Sequence, residues 1–197
     1  MTRMHLSMLA LAGALLAPAI AHAQGTDDGL TTARCVAESA VRDSRRLLDT
    51  LPGSAAERAA MRELAAVYAA CGTSTGGRSA LAQATVERRI ARGGAGVATG
   101  GAAEPWYASA IAGRTVGIDY DGTAIAMQQI GTCIVRAGPD ASTKLLGSAA
   151  GSAEERAAIA ALKPLIGPCV PEGTPVRLNA AALRLMLAEP LYHMIGA

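Results

Sequence analysis

Apolar side chains recur at the spacing of an α-helix in two stretches of the chain that lie 98 residues apart. Within each stretch the steps between apolar positions are three, four and three residues, which places them on one face of a helix. The positions are Met61, Leu64, Tyr68 and Cys71 in the first stretch and Ile159, Leu162, Ile166 and Cys169 in the second. Each stripe ends in a cysteine, so both sulfur atoms are expected to face inward.

Both stretches begin with the same capping signal. A serine is followed three residues later by a glutamate, at Ser54 and Glu57 and again at Ser152 and Glu155. In such a capping box the serine hydroxyl accepts from a free backbone N–H of the first turn, and the glutamate side chain reaches back to the cap. The sequence therefore predicts helices that begin at Ser54 and Ser152.

Further helices are predicted on either side of these two. The segment from Cys35 to the paired leucines predicts one continuous helix, whereas its counterpart is expected to break at 138–139, because proline lacks the backbone N–H. A third helix is predicted after the second cysteine of each stretch, with Ser79 and Asn179 as caps. Pro190 is expected to kink or end the last helix.

Matches at the same offset indicate a tandem duplication. Cysteines, paired leucines, Gly-Ser and Glu-Arg all recur, and an alanine-rich composition cannot produce those matches. The matching segments are 47–48 with 145–146, 53–55 with 151–153, and 57–60 with 155–158. We predict an all-α protein built as a tandem duplication of a three-helix unit.

A closing motif, Ala-Glu-Pro-x-Tyr, recurs at a different offset. Its copies at 104–107 and 189–192 are 85 residues apart, so the first unit is longer by 13 residues before this ending. Most of the excess is the glycine-rich run 93–101, which we interpret as a loop insertion. The predicted organisation is a first unit at 24–107, a linker at 108–128 and a second unit at 129–197.

The N-terminus is typical of a secretory signal peptide. A polar start with Arg3 precedes an apolar run at 8–17, and Ala21-His22-Ala23 fits a cleavage site. We expect cleavage near Ala23 and a periplasmic or secreted protein. No later stretch reaches 18 apolar residues, so no transmembrane segment is expected in the mature chain.

Four cysteines in an oxidising compartment favour a disulfide framework. Cys35 and Cys71 are 36 residues apart, and so are Cys133 and Cys169. Pairing within each set would link each unit to itself with one disulfide. The other two connectivities would cross-link the units, and the sequence leaves them open.

Composition excludes two classes of protein. The chain has 197 residues, of which 51% are hydrophobic and 17% charged, and a formal net charge of +2. It is too apolar for a disordered tail and too evenly charged to predict binding to nucleic acid. Aromatic residues make up 3% and Phe is absent, so we expect close helices with small residues between them.

The order of motifs in the second unit resembles that of uncharacterised exported Ala-rich proteins of α-proteobacteria. A cysteine, two leucines, Gly-Ser-x-x-Glu, a second cysteine and a closing Ala-Glu-x-x-Tyr follow one another. The residues that carry the resemblance are Leu145, Leu146, Gly151, Ser152, Glu155, Cys169, Arg184 and 188–192. The resemblance is weaker over the first unit, and it implies no known activity.

Candidate chemistry is sparse. Removal of the signal leaves His193 as the single histidine, and no catalytic triad, metal site or cofactor site is predicted. Glu104 and Glu189 recur in the closing motif, which would suit a duplicated ligand site or a pair of hydrolytic carboxylates. The alternative is that each carboxylate pairs with an arginine of its own unit, such as Arg88 or Arg184.

These features favour a non-catalytic exported module that binds an envelope protein or a small ligand. Its candidate binding residues are Trp106, Tyr107, Glu104, Glu189 and Tyr192. The alternative is a small cell-envelope hydrolase or accessory factor that uses Glu104 or Glu189. The alternative would require Glu104, Glu189 and Trp106 to line one cleft.

Overall fold

The computed structural model describes residues 19–72, 77–94, 104–174 and 178–195, with side chains from Asp28 onwards. Residues 1–18 of the predicted signal segment lie outside these ranges, as do residues 95–101 of the glycine-rich run. The first helix begins at Ala19, so the predicted cleavage site at 21–23 lies near its start.

Within the described ranges the protein has nine helices and no strand. They are α1 Ala19–Ser39, α2 Val41–Leu48, α3 Ala55–Cys71, α4 Gly77–Ala91, α5 Ala108–Ile111, α6 Gly122–Ala137, α7 Pro139–Gly147, α8 Ala153–Cys169 and α9 Ala180–Met194. The all-α prediction is confirmed. None of these helices is both long enough and apolar enough to cross a bilayer.

The three helices α1–α3 recur as α6–α8. Helices α3 and α8 have the same length, and their N-caps, Ser54 and Ser152, accept from the backbone N–H of Glu57 at 3.1 Å and of Glu155 at 3.0 Å. Disulfides join α1 to α3 through Cys35 and Cys71, and α6 to α8 through Cys133 and Cys169, with Cα atoms 5.6 Å apart in both. Each unit is therefore linked to itself, as predicted.

The predicted continuous helix of the first unit is wrong, because it is interrupted at Ala40. This residue has φ −127° and ψ 55°, close to φ −143° and ψ 64° at Gly138, its counterpart in the second unit. In both places the chain resumes as a helix, since Ser44 N donates to Ala40 O and Ser142 N to Gly138 O, each at 2.9 Å. The break exists without a proline, so packing of the repeated unit produces it.

Pro190 neither ends nor visibly interrupts α9, which continues to Met194. Proline cannot donate to the carbonyl of residue i−4, here Met186, and this usually destabilises a helix. Helix α6 approaches at this turn through Gly131, where a Cβ atom would lie 2.6 Å from Met186 O and 2.8 Å from Pro190 Cγ. A glycine on α6 thus allows the close contact that supports α9 at its proline.

Helices α4 and α9, the last of each unit, pack against each other in the centre of the molecule. The cap predicted at Asn179 is confirmed, with the side chain accepting from Ala182 N at 2.8 Å, whereas Ser79 lies inside the first turn of α4. The two units share their cores. Leu48, Ala82 and Val86 of the first unit pack in the cluster built mainly from α6–α9.

The stretch predicted as a linker contains structure that covers the first unit. It holds α5 and the start of α6, whose N-cap, Asp121, accepts from Thr123 N at 2.8 Å. A small cluster of Leu51, Tyr107, Tyr120 and Ile125 joins this stretch to the loop between α2 and α3.

Candidate functional site

Two buried arginines near the starts of α4 and α9 are the centres of two related polar clusters. Arg78 donates to Glu189 Oε1 from Nε at 2.8 Å and from Nη2 at 2.6 Å, and it lies 3.2 Å from Glu57 Oε1. It also donates to the backbone carbonyls of Leu47, Leu48 and Thr50 at 2.9, 2.7 and 2.8 Å. Leu47 and Leu48 end α2 and Thr50 lies in the turn that follows, and Leu47 O also accepts from Thr50 N at 3.1 Å.

Arg184 repeats this arrangement in the second unit. Its Nε donates to Glu155 Oε1 at 2.8 Å, its Nη2 donates to Ser148 O at 2.6 Å, and its Nη1 lies 3.8 Å from Glu87 Oε1. Glu155 and Ser148 are the counterparts of Glu57 and Thr50 at the repeat offset. Both units therefore use an arginine to tie the end of their second helix to the capping glutamate of the next.

Each arginine also binds a glutamate from the other unit. Arg78 on α4 binds Glu189 on α9, and Arg184 on α9 faces Glu87 on α4, so the two helices run antiparallel. The alternative that Glu189 pairs with an arginine of its own unit, such as Arg184, is therefore wrong. The exchange follows from the central packing of α4 on α9, which places each arginine beside the far end of the opposite helix.

The sequence concealed this relation, because the two arginines are 106 residues apart and not 98. The spacing from Cys169 to Arg184 is eight residues longer than the spacing from Cys71 to Arg78. With the arginines superposed, Gln83 corresponds to Glu189 and Glu87 to His193. The acidic partner thus sits one helical turn later on α4 than on α9.

Burial and the arginines act differently on the two glutamates. Glu189 is 2% exposed, and burial raises its pKa, against the opposing effects of Arg78 and of a hydrogen bond with Gln128. In Glu155 the hydrogen bond from Arg184 is the largest influence and lowers the pKa. Both carboxylates are therefore held in the interior by an arginine.

The closing motif does not occupy equivalent positions in the two units. Glu189 and Tyr192 lie within α9, whereas Glu104, which is exposed, and Trp106 precede the short helix α5. Similarity over four residues does not fix a backbone conformation when the flanking segments differ. Glu104 and Glu189 are thus not two copies of one site.

Three of the predicted binding residues meet around His193. The Trp106 ring stacks on the imidazole with centroids 4.0 Å apart, while Tyr192 and Tyr107 make edge contacts with His193 and Trp106, respectively. Tyr107 is 2% exposed, and Tyr192 O–H donates to Asp49 Oδ1 at 3.3 Å. Burial is the main reason that the pKa of Tyr192 rises to about 12. These aromatic rings pack mainly against the protein itself.

His193 is held in its neutral form. Burial, followed by the positive charge of Arg78, lowers its pKa to about 3, although a hydrogen bond with the backbone of Leu48 opposes the shift. Because the pKa is about 6.5 in an unfolded chain, the unfolded state binds one more proton between these values. Stability contributed by neutral His193 is therefore lost as the pH falls below about 6.5.

We expect His193→Gln to flatten this acid sensitivity. Protonation of the unfolded chain lowers the free energy of unfolding of the wild type by about 2 kcal/mol between pH 7 and pH 5, and glutamine removes that effect. The free energy of unfolding of the wild type minus that of the variant should be smaller by about 2 kcal/mol at pH 5 than at pH 7. Urea unfolding at both pH values measures the difference. A gap that stays constant with pH would contradict the assignment of a neutral buried imidazole.

A cleft of about 950 Å³ lies between α1, α4, α9 and the turn at 149–151 that joins α7 to α8. Its charged lining includes Arg34, Glu87, Glu155 and Arg184, and its apolar lining includes Leu30, Ile90, Leu146 and Leu185. Arg34 is half-exposed and binds Glu87 Oε2 from Nη2 at 3.0 Å and from Nε at 3.1 Å.

None of the five predicted binding residues lines this cleft. In particular, it does not bring Glu104, Glu189 and Trp106 together, as the hydrolase alternative would require. One difference between the repeats could have indicated the cleft. Leu51-Pro52-Gly53 in the first unit is replaced by Ala149-Ala150-Gly151 in the second. The smaller side chains leave this wall of the cleft open.

Comparison with known protein families, curated proteins and solved structures gave no match to the chain.

Proposed function

We propose that this protein is a non-catalytic binding module of the cell envelope or extracellular space, and that the cleft between α4 and α9 is its binding site. The observation that carries the proposal is the cleft itself, about 950 Å³ in volume with apolar walls and a charged floor. Ligand sites are commonly concave, largely apolar and supplied with a few fixed polar groups.

The polar groups of the cleft are held in place before any ligand arrives. Arg184 is fixed by Glu155 and Ser148, and Glu87 receives a hydrogen bond from Gln83 Nε2 at 2.7 Å in addition to those from Arg34. A rigid site loses less conformational entropy on binding. Such an arrangement suits recognition.

Export is part of the proposal. The signal-like N-terminus predicts cleavage near Ala23 and a periplasmic or secreted location. The protein also contains two disulfides, and disulfides form and persist in oxidising compartments. The partner is then an envelope or extracellular component, and nucleic acid is not expected.

Site-specific photo-crosslinking tests the location of the binding site. A benzophenone amino acid is placed at Ala181, an exposed residue of the cleft lining, or at Ala66 on the exposed side of α3, in the cells that produce the protein. We expect a discrete adduct, by intact mass, from position 181 and none from position 66. The adduct should disappear when Arg34→Glu is added.

Equal adducts from both positions, or none from position 181, would contradict the proposal. The matched control for the added charge change is Arg42→Glu, since Arg42 is exposed on α2 and does not line the cleft. It should leave the adduct at position 181 unchanged.

A further inference from the structure

The loop that corresponds to the open wall of the cleft is covered in the first unit. There, Asp121 N donates to Pro52 O at 2.7 Å, and Leu51 is buried against Tyr107, Tyr120 and Ile125. A Cβ atom on Gly53 would lie 2.7 Å from Asp121 N. The chain's own segment 104–121 therefore covers the loop at 51–53.

The same loop in the second unit has no such cover. Ala149, Ala150 and Gly151 are exposed, and a Cβ atom on Gly151 would meet nothing within 4 Å. Among the described residues, nothing plays the part for this unit that 104–121 plays for the first. The duplication has thus produced two related places, one filled from within and one open.

Corresponding helix positions lie beside the covered loop and beside the cleft. Next to the covered loop the residue is His193, on whose ring Trp106 stacks. In the cleft the residue is Glu87 on α4, which corresponds to His193 when Arg78 and Arg184 are superposed. Trp106 belongs to the sequence Ala-Glu-Pro-Trp-Tyr-Ala, which combines a carboxylate with two aromatic rings.

We propose that the cleft binds a peptide segment of a partner protein in which an acidic residue lies next to aromatic residues, as they do in the chain's own segment 104–107. This inference rests on the proposed binding function and specifies its ligand. Segment 104–107 serves as the model for this ligand, because it packs on the corresponding surface of the first unit.

Arg34 provides the place in the cleft where an acidic residue could bind. The lining contains Arg34, Arg78 and Arg184 with Glu87 and Glu155, and Arg78 is already paired with Glu57 and Glu189. Arg78 and Arg184 are almost fully buried among their partners, whereas the Arg34 side chain is 54% exposed and binds Glu87 through Nε and Nη2. A carboxylate of the incoming segment would pair with the exposed side of Arg34.

Apolar surface in the cleft suits the aromatic part. Leu30, Ile90, Leu146 and Leu185 offer apolar contacts, and the small residues Ala149 and Ala150 leave room for a ring that Leu51 and Pro52 would obstruct. Aromatic side chains bury a large area and commonly anchor protein interfaces. The peptide's rings would therefore lie against the 149–150 wall.

A labelled peptide tests the inference directly. The acetylated, fluorescein-labelled hexapeptide Ala-Glu-Pro-Trp-Tyr-Ala is titrated with the processed protein, and binding is followed by fluorescence anisotropy. We expect saturable binding that weakens at least tenfold when the peptide's tryptophan is replaced by alanine. Replacement of its glutamate by glutamine should weaken binding several-fold, less strongly at high salt.

Protein variants locate the bound peptide. Arg34→Glu and the cleft-filling Ala149→Trp should each weaken binding at least tenfold, whereas Arg42→Glu should change it less than twofold. Circular dichroism and thermal melting establish that each variant is folded. Binding that survives both cleft variants would overturn the inference, because the peptide would then have displaced segment 104–107 from its own place on the first unit.

Two further outcomes would overturn it. The first is a concentration-dependent dimer that Ala149→Trp abolishes, because a second copy would then be the occupant. The second is binding no tighter than that of a scrambled peptide. If crosslinking at position 181 persists, the second outcome removes only the ligand class; if crosslinking is also absent, the proposed function fails with it.

Discussion

Replacing Arg78 by methionine is expected to lower the free energy of unfolding by about 3–5 kcal/mol, because it removes one partner of a buried ion pair. Glu189, at 2% exposed, would remain in the interior without the guanidinium that it binds at 2.6 Å. The carbonyls of Leu48 and Thr50 would lose the donor that Arg78 supplies, whereas Leu47 O would keep the hydrogen bond from Thr50 N. Urea unfolding followed by circular dichroism measures the loss.

A matched variant and a rescue separate this effect from loss of side-chain packing. Arg62→Met changes an exposed arginine on α3 and should shift the unfolding free energy by less than about 0.5 kcal/mol. Adding Glu189→Gln to Arg78→Met removes the stranded charge and should restore part of the lost stability. A loss below 1 kcal/mol, or no recovery in the double variant, would show that the pair is not the buried link between the units.

Removing the second disulfide, through Cys133→Ser with Cys169→Ser, is expected to lower the free energy of unfolding by about 4 kcal/mol in the chain-entropy account. The bridge spans a sequence separation of 36, as does the bridge between Cys35 and Cys71. Without the crosslink, the unfolded chain has more conformational entropy, so the unfolded state is favoured. Denaturant unfolding under oxidising conditions measures the difference.

The two bridges provide internal controls for each other. Equal loop lengths predict nearly equal losses for Cys35→Ser with Cys71→Ser and for the second-unit pair. Wild-type protein unfolded under reducing conditions should show the combined loss. A second-unit loss below 1 kcal/mol would contradict the expected contribution of loop closure to stability.

Local signals were sufficient for much of the fold. Ser54 and Ser152 cap their helices as predicted, because a cap is satisfied by atoms within one turn. A repeated spacing of 36 residues favoured cysteine pairing within units, and the structure shows that pairing. The break at Ala40 did not follow, because no residue type there forbids a helix and packing of the unit decides its conformation.

The candidate site was much less predictable. Glu189 and Trp106 were predicted as binding residues, whereas in the structure Glu189 binds Arg78, more than a hundred residues away, and Trp106 stacks on His193. A change from Leu51-Pro52 to Ala149-Ala150 is an ordinary difference between repeats when it is viewed in the sequence. It becomes a cleft only because segment 104–121 covers one copy and leaves the other open.

The sequence by itself determined most of the helices, the caps at Ser54, Ser152 and Asn179, and the duplication, and it favoured the two disulfides within units, since each depends on residues close together or on one constant offset. Only the tertiary structure decided which unit supplies each glutamate and where the surface stays open. Those features arise where α4 and α9 pack antiparallel, and residues of opposite units meet there at distances along the chain that no local pattern encodes. The exchange of Glu87 and Glu189 between units is therefore a property of the packed molecule.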